Sequence, residues 1–280
     1  MIGDFLASWS LFGTTYAAGL LAAAALAQVG VFVVARNQIF LGAAVAQAST
    51  LGVALALRAA PFAGAAGLGW LDAEAAPTGF AVVASIATAW LVGRPRGPQR
   101  ESEEALAGWV FLLASSVPVL LLAHSPHGLE EVHRLVFSTL LAASAGDVAG
   151  FAAVAAAGAL VTARAWDTLL LVAVDPASAT AAGLRPARWR WLSALWLGLA
   201  VGLAIRAAGA LYAFGCLVLP ALAAKALCRE VRTMTWVAPA LAAAASLAGF
   251  FAAHALDLPP AHLAVALLAA LLPFLWLRRV

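Results

Sequence analysis

Residues 14–35 read TTYAAGLLAAAALAQVGVFVVA, a run without a single charge, and Arg36-Asn37-Gln38 separate it from a second apolar run over 39–58. At 1.5 Å per residue a helix over the first run is about 33 Å long, enough to cross a hydrocarbon core of about 30 Å. The unit recurs down the chain. Further spans are predicted at 78–93, 105–123, 147–164, 190–206, 209–225, 236–256 and 260–277. The stretch 132–144 is too short to cross and is expected as a re-entrant or interfacial helix. Backbone polar groups in lipid must be satisfied within the segment, so the pattern predicts an all-α polytopic membrane bundle of eight or nine transmembrane helices.

Composition agrees. Hydrophobic residues make up 65% of the chain and charged residues 10%, against about a quarter charged in globular domains. The 280 residues suit one transmembrane domain over 1–280. A net charge of +3 would suggest nucleic acid in a soluble protein. Here the arginines lie in loops, so the bilayer is the expected surroundings and nucleic acid is not an expected partner. Cys216 and Cys228 form no CxxC motif and read as packing residues. Asp4, with no Lys or Arg before the first run, points to a retained span with its N-terminus outside.

With that orientation, nine spans place Arg36, Arg94, Arg96, Arg100, Arg164, Arg185, Arg188, Arg190, Lys225, Arg229, Arg232, Arg278 and Arg279 on the cytoplasmic side of a cell (inner) membrane. Arg58, Arg134 and Arg206 remain for the far side. The positive-inside bias therefore also places the C-terminus in the cytoplasm. Arg58 and Arg206 read as snorkelling anchors at span ends. On the outer side, His254, Asp257 and His262 form one polar group, and His124, His127, Glu130, Glu131 and His133 another. Either group is placed to meet cargo, yet neither has a spacing that sets a ligand pattern, and interfacial polar residues in water are the competing reading. Ser49, Ser115, Ser116 and Ser193 have no histidine within their spans, which argues against an intramembrane enzyme and for no catalytic residue.

The loop expected over 165–189 contains Asp175-Pro176-Ala177-Ser178-Ala179-Thr180-Ala181-Ala182-Gly183. Asp at the N-cap, Pro at the first helical position and Gly after the last turn specify a short helix. Such a helix suits a partner's groove, and equally a loop that folds on itself. Downstream, Gly209, Gly215 and Pro220 give a span that bends and loosens its own hydrogen bonds.

The order of these segments resembles the permease subunits of ATP-binding cassette importers for zinc and manganese, the ABC-3 family. The resemblance is carried by 32–42, by 102–108, by 137–141 with Ser144 and Asp147, by Asp175-Pro176 to Gly183, by Gly209 to Pro220-Ala221, and by Asp257-Leu258-Pro259. It implies a homodimer with the path between subunits, cargo delivered by an extracytoplasmic substrate-binding protein, and ATPase subunits coupled through Asp175, Pro176, Ala179 and Gly183. ATP and Mg would be used by those ATPase subunits. This chain's one lysine, Lys225, lies in no Gly-x4-Gly-Lys-Ser/Thr loop, and no cofactor is expected on the chain itself. Family members typically read Gly-Asp-x-x-x-His-Ala in the second span. Here Gly42-Ala43-Ala44-Val45-Ala46-Gln47-Ala48 stands in its place, so Ala43, Gln47 and Thr50 are the substrate-path candidates and both usual metal ligands are absent. Zinc or manganese is the cargo the family implies. A chelated metal or other small solute is the alternative, and a diverged non-transporting scaffold a further one.

Overall fold

The computed structural model describes residues 2–63, 75–94, 101–123, 130 and 143–277. Residues 132–142 of the short helix expected over 132–144 lie outside them, as do His124, His127, Glu131, His133, Arg134 and the loop arginines Arg96, Arg100, Arg278 and Arg279.

The described residues form helices α1 (Ile2–Ala35), α2 (Ile39–Ala63), α3 (Ala76–Val92), α4 (Glu103–Leu122), α5 (Ala145–Val174), α6 (Pro176–Ala181), α7 (Pro186–Leu227), α8 (Val231–Leu256) and α9 (Pro260–Leu277), with no strand among them. Seven of these are long and apolar enough to cross a membrane, and α3 is a shorter apolar helix of 17 residues. Helix ends follow their local chemistry. Asn37 adopts a left-handed φ of 55° after α1, letting the Gln38 N–H return to Val33 O at 3.0 Å. Ser102 caps α4 by accepting from the Ala105 N–H at 3.1 Å. Ser144 and Asp147 form a reciprocal capping box at the start of α5.

α7 has 42 residues. As a straight rod it would be about 63 Å long, twice the hydrocarbon thickness. It is not straight. Trp196 lies 5.8 Å from Phe32 of α1, ring centroid to centroid. Leu217 places its carbonyl oxygen 1.7 Å from where a Cβ on Gly30 would stand. Phe32 and Gly30 belong to the same turn of α1, whereas Trp196 and Leu217 would be about 32 Å apart on a straight helix. The chain therefore folds back between them, at Gly209, whose φ of 80° and ψ of 166° are non-helical. α7 is two spans joined by a glycine, as the separate segments 190–206 and 209–225 anticipated. With the shorter α3, the described residues hold nine apolar helical segments.

α1, α2 and α7 from Ala194 onward carry most of the buried positions and form the centre of the bundle. α5 and α8 pack against α1, α3 lies on the first arm of α7, and α9 joins α8 and α7. Small residues permit this. Gly198 and Gly202 bring α7 so close to α3 that a Cβ on either would stand 2.6 Å or less from Ile86 or Val82 atoms. At the centre, the Tyr212 hydroxyl donates to Gly19 O at 3.0 Å and lies 2.8 Å from Ser246 Oγ, tying α1, α7 and α8 together.

The segment expected as a loop over 165–189 is largely helical instead. α5 runs on to Val174, with one irregular residue at Ala165 (φ −120°, ψ 26°), because Leu169 and Val172 are buried and hold the extension against the bundle.

Candidate functional site

The segment from 175 to 184 is held almost entirely by its own chemistry. Asp175 caps α6: its Oδ1 accepts from the Ala177 and Ser178 N–H groups at 3.1 and 3.0 Å, and its Oδ2 accepts from Ser178 Oγ at 2.5 Å. These bonds, the Ser178 hydroxyl foremost, hold the exposed carboxyl below its usual range. Pro176 occupies the first turn, where no N–H is needed. At the other end Gly183 adopts φ +77°, its N–H reaches Thr180 O, and the Leu184 N–H returns to Ala179 O, both at 3.0 Å. That pair of bonds is a Schellman closure. Ala179 is fully buried beneath the helix, which rests on α5 and α7. Pro176, Ala177, Ser178 and Thr180 are exposed. The result is a small, rigid knob set on the ends of two spans.

A second locus is the start of α2. Gly42 faces the second arm of α7, where a Cβ would come 2.6 Å from Leu217 Cδ2. Ala43 is buried, Gln47 is half-buried, and Thr50 is buried with its hydroxyl donating back to Ala46 O at 3.3 Å. These three share one helix face at i, i+4 and i+7. Among the described residues the Gln47 side chain has no hydrogen-bond partner, nor has the buried Ser49 hydroxyl on the same turn. The face offers a neutral amide and hydroxyls, without imidazole or carboxylate.

Gly209, Gly215 and Pro220 behave differently from one another. Only Gly209 departs from helical torsions. Gly215 is a close-packing position, 2.7 Å from Val265 Cγ2 if given a Cβ, and Pro220 lies buried within regular helix.

At the junction of α8 and α9, Asp257 closes α8 in a left-handed conformation (φ 53°), with its own N–H on Ala253 O. The Leu258 N–H returns to the same oxygen at 3.1 Å. His254 is exposed and His262 half-buried nearby. No group of three or more His, Cys, Asp or Glu able to hold a metal ion occurs among the described residues.

Arg206 is not the isolated anchor expected from its position. It pairs with Asp147 at 2.6 Å, on a carboxylate only 9% exposed. Sequence reasoning missed this because the partners are 59 positions apart and on different spans. On the opposite side, Gln38 donates to Glu103. Burial there pushes the Arg36 guanidinium below its usual range, with Glu103 opposing the shift and Arg190 adding to it.

The model of the ABC 3 transport family matches residues 9–278. A probable metal transport system membrane protein of Thermotoga maritima is 27% identical over 257 residues, covering 91% of this chain and 85% of its own length. A probable iron transport system membrane protein of Haemophilus influenzae is 23% identical over 176 residues, 63% of this chain and 61% of that protein. Among solved structures, PsaBC from Streptococcus pneumoniae in complex with Fab superposes with a TM-score of 0.80 at 19% identity, covering 99% of this chain and 95% of that one. An ABC transporter described as of metal-chelate type, in an inward-facing conformation, gives a TM-score of 0.72 at 17% identity over 94% of this chain and 85% of that one.

Proposed function

This chain belongs to the ABC 3 transport family, and on that premise we propose that it is the membrane permease of an ATP-binding cassette importer for a divalent transition metal, zinc or manganese, driven by separate ATPase subunits. The observation that carries this reading is the α6 knob: a short helix capped at both ends, anchored by Ala179 on α5 and α7 and otherwise presented outward. A groove on an ATPase closing around ATP and Mg would push a rigid body of this kind, and its anchorage passes the displacement to two spans. The irregular residue Ala165 lies where α5 would pivot. Two chains would flank the path, and an extracytoplasmic binding protein would deliver cargo to the far side. The arginine-rich ends of the helices would face the cytoplasm across an inner membrane, with the N-terminus outside.

A second reading, a chelated metal as cargo, is favoured by Ala43 and Gln47. Zinc prefers imidazole, thiolate or carboxylate donors, and a chelate that brings its own ligands needs none from the path. Reconstitution of the chain with its ATPase, and with the binding protein on the outer side, tests both. ATP-dependent accumulation of free zinc or manganese supports the first reading, and accumulation only of the chelated ion supports the second. Co-purification of the ATPase without accumulation of either would leave a non-transporting scaffold.

A further inference from the structure

Where α3 ends and α7 begins, a cavity of about 200 Å³ opens between them, lined by Trp90, Gly93, Arg94, Arg190 and Trp191 among others. Trp90 and Trp191 are 39% and 46% exposed, and exposed indoles at the ends of spans are the side chains that favour a membrane–water boundary. The Arg94 guanidinium carbon lies over the Trp90 ring, 3.1 Å from its centroid. Among the described residues the Arg190 guanidinium has no hydrogen bond or ion pair, and it also lines a smaller cavity with Arg36. Against the three cations Arg36, Arg94 and Arg190, the carboxylates of the adjoining cavity by Gln38 and Val92 are two, Glu103 and Glu104. Positive charge is therefore in surplus at this corner. Above it the outer face of α3 runs Gly79, Val83, Ala87, Trp90, Arg94, all exposed and spaced as one helical stripe that is apolar until its last residue.

We propose that this corner is a site for one anionic phospholipid of the leaflet on the arginine-rich side. Arg190 and Arg94 take the phosphodiester, the two indoles flank it, and the acyl chains lie along the Val83–Ala87 face. Charge complementarity commits the site to a phosphate, and the apolar stripe directly above commits it to a phosphate that carries hydrocarbon. The inference goes beyond transport and does not depend on which cargo the protein carries.

The test is native mass spectrometry of the full chain in a mild detergent, titrated with phosphatidylglycerol or phosphatidylcholine. One phosphatidylglycerol per chain should be retained, with phosphatidylcholine released. Replacing both Arg94→Gln and Arg190→Gln should weaken retention about tenfold or more, since each basic residue near such a surface contributes roughly 1 kcal/mol. The pair Arg185→Gln with Arg188→Gln removes the same charge outside the cavity and should leave retention within about twofold. Equal loss in both pairs would mean a diffuse basic surface and overturn the proposal, as would undiminished retention in the first pair. Displacement of the lipid by excess glycerol phosphate would overturn it too, in favour of a soluble phosphate. Should the first pair fail to purify as a helical protein, Arg190→Gln alone carries the test, with a loss of about threefold or more expected and no loss overturning the site.

Discussion

Ala43 and Gln47 are i and i+4 on one face of α2, buried and half-buried, so a carboxylate and an imidazole placed there would converge on one ion. The double change Ala43→Asp with Gln47→His should make ATPase turnover of the reconstituted complex respond to free zinc or manganese, where wild type responds little. Free-ion transport at ordinary rates by wild type, unchanged by Gln47→Ala, would show that this face is not needed for a metal. Gly183 poses the opposite problem. Nothing lies within 4 Å of a Cβ built there, so space is no obstacle, and the cost of a side chain comes from φ +77° alone. That cost is roughly 1–2 kcal/mol for an L-residue, more for a β-branched one. Gly183→Val should accordingly weaken ATPase association about tenfold, measured by co-purification, whereas full association with unchanged stimulated turnover would remove the knob from the coupling path. Asp175 adds a pH signature. Its carboxyl is held below the usual carboxylate range, foremost by the Ser178 hydroxyl, so the cap is fully present above that range and is lost only as pH falls through the lowered value. Association should be flat from roughly pH 5 to 8 as far as this residue is concerned. A titration within that window that disappears in Asp175→Asn would contradict the cap.

At the scale of elements, turn chemistry was the legible part. Asp-Pro and the glycine eight positions after the Asp specified α6, because caps and a left-handed closure are local and each residue type has one physical reason to be there. Gly209 was legible as a bend for the same reason. What sequence did not disclose was that Gly215 and Pro220 stay helical, or that α5 breaks at Ala165, where neither glycine nor proline stands. Those outcomes depend on which neighbours press on the helix. The hairpin at Gly209 makes a direct prediction. Its φ of 80° with ψ of 166° lies in a region essentially reserved for glycine. Gly209→Val should cost about 1–3 kcal/mol, seen as a lower thermal midpoint in detergent, while Gly79→Val, with nothing within 4 Å of its Cβ, should not. Equal loss from both would mean that α7 does not turn back through this residue.

For the whole molecule, the bundle was readable from hydropathy because lipid imposes one rule on every span. Long-range pairings were not readable. Arg206 with Asp147, and Tyr212 with Gly19 and Ser246, join residues far apart in sequence through packing that no periodicity encodes. The candidate site shows the same division: the α6 knob was visible in its residues, whereas its anchorage on α5 and α7 through Ala179 required the fold.

The central claim is that this chain is driven through α6. It is tested most directly by placing a single cysteine at Ala177, exposed on the knob, or at Leu258 on the opposite side of the bundle, in a background without Cys216 and Cys228. A bifunctional cross-linker is then applied to the assembled complex. Capture of the ATPase from 177 but not from 258, with ATP hydrolysis uncoupled from uptake once the link forms, is the expected result. An intact complex in which 177 captures no ATPase would contradict the claim.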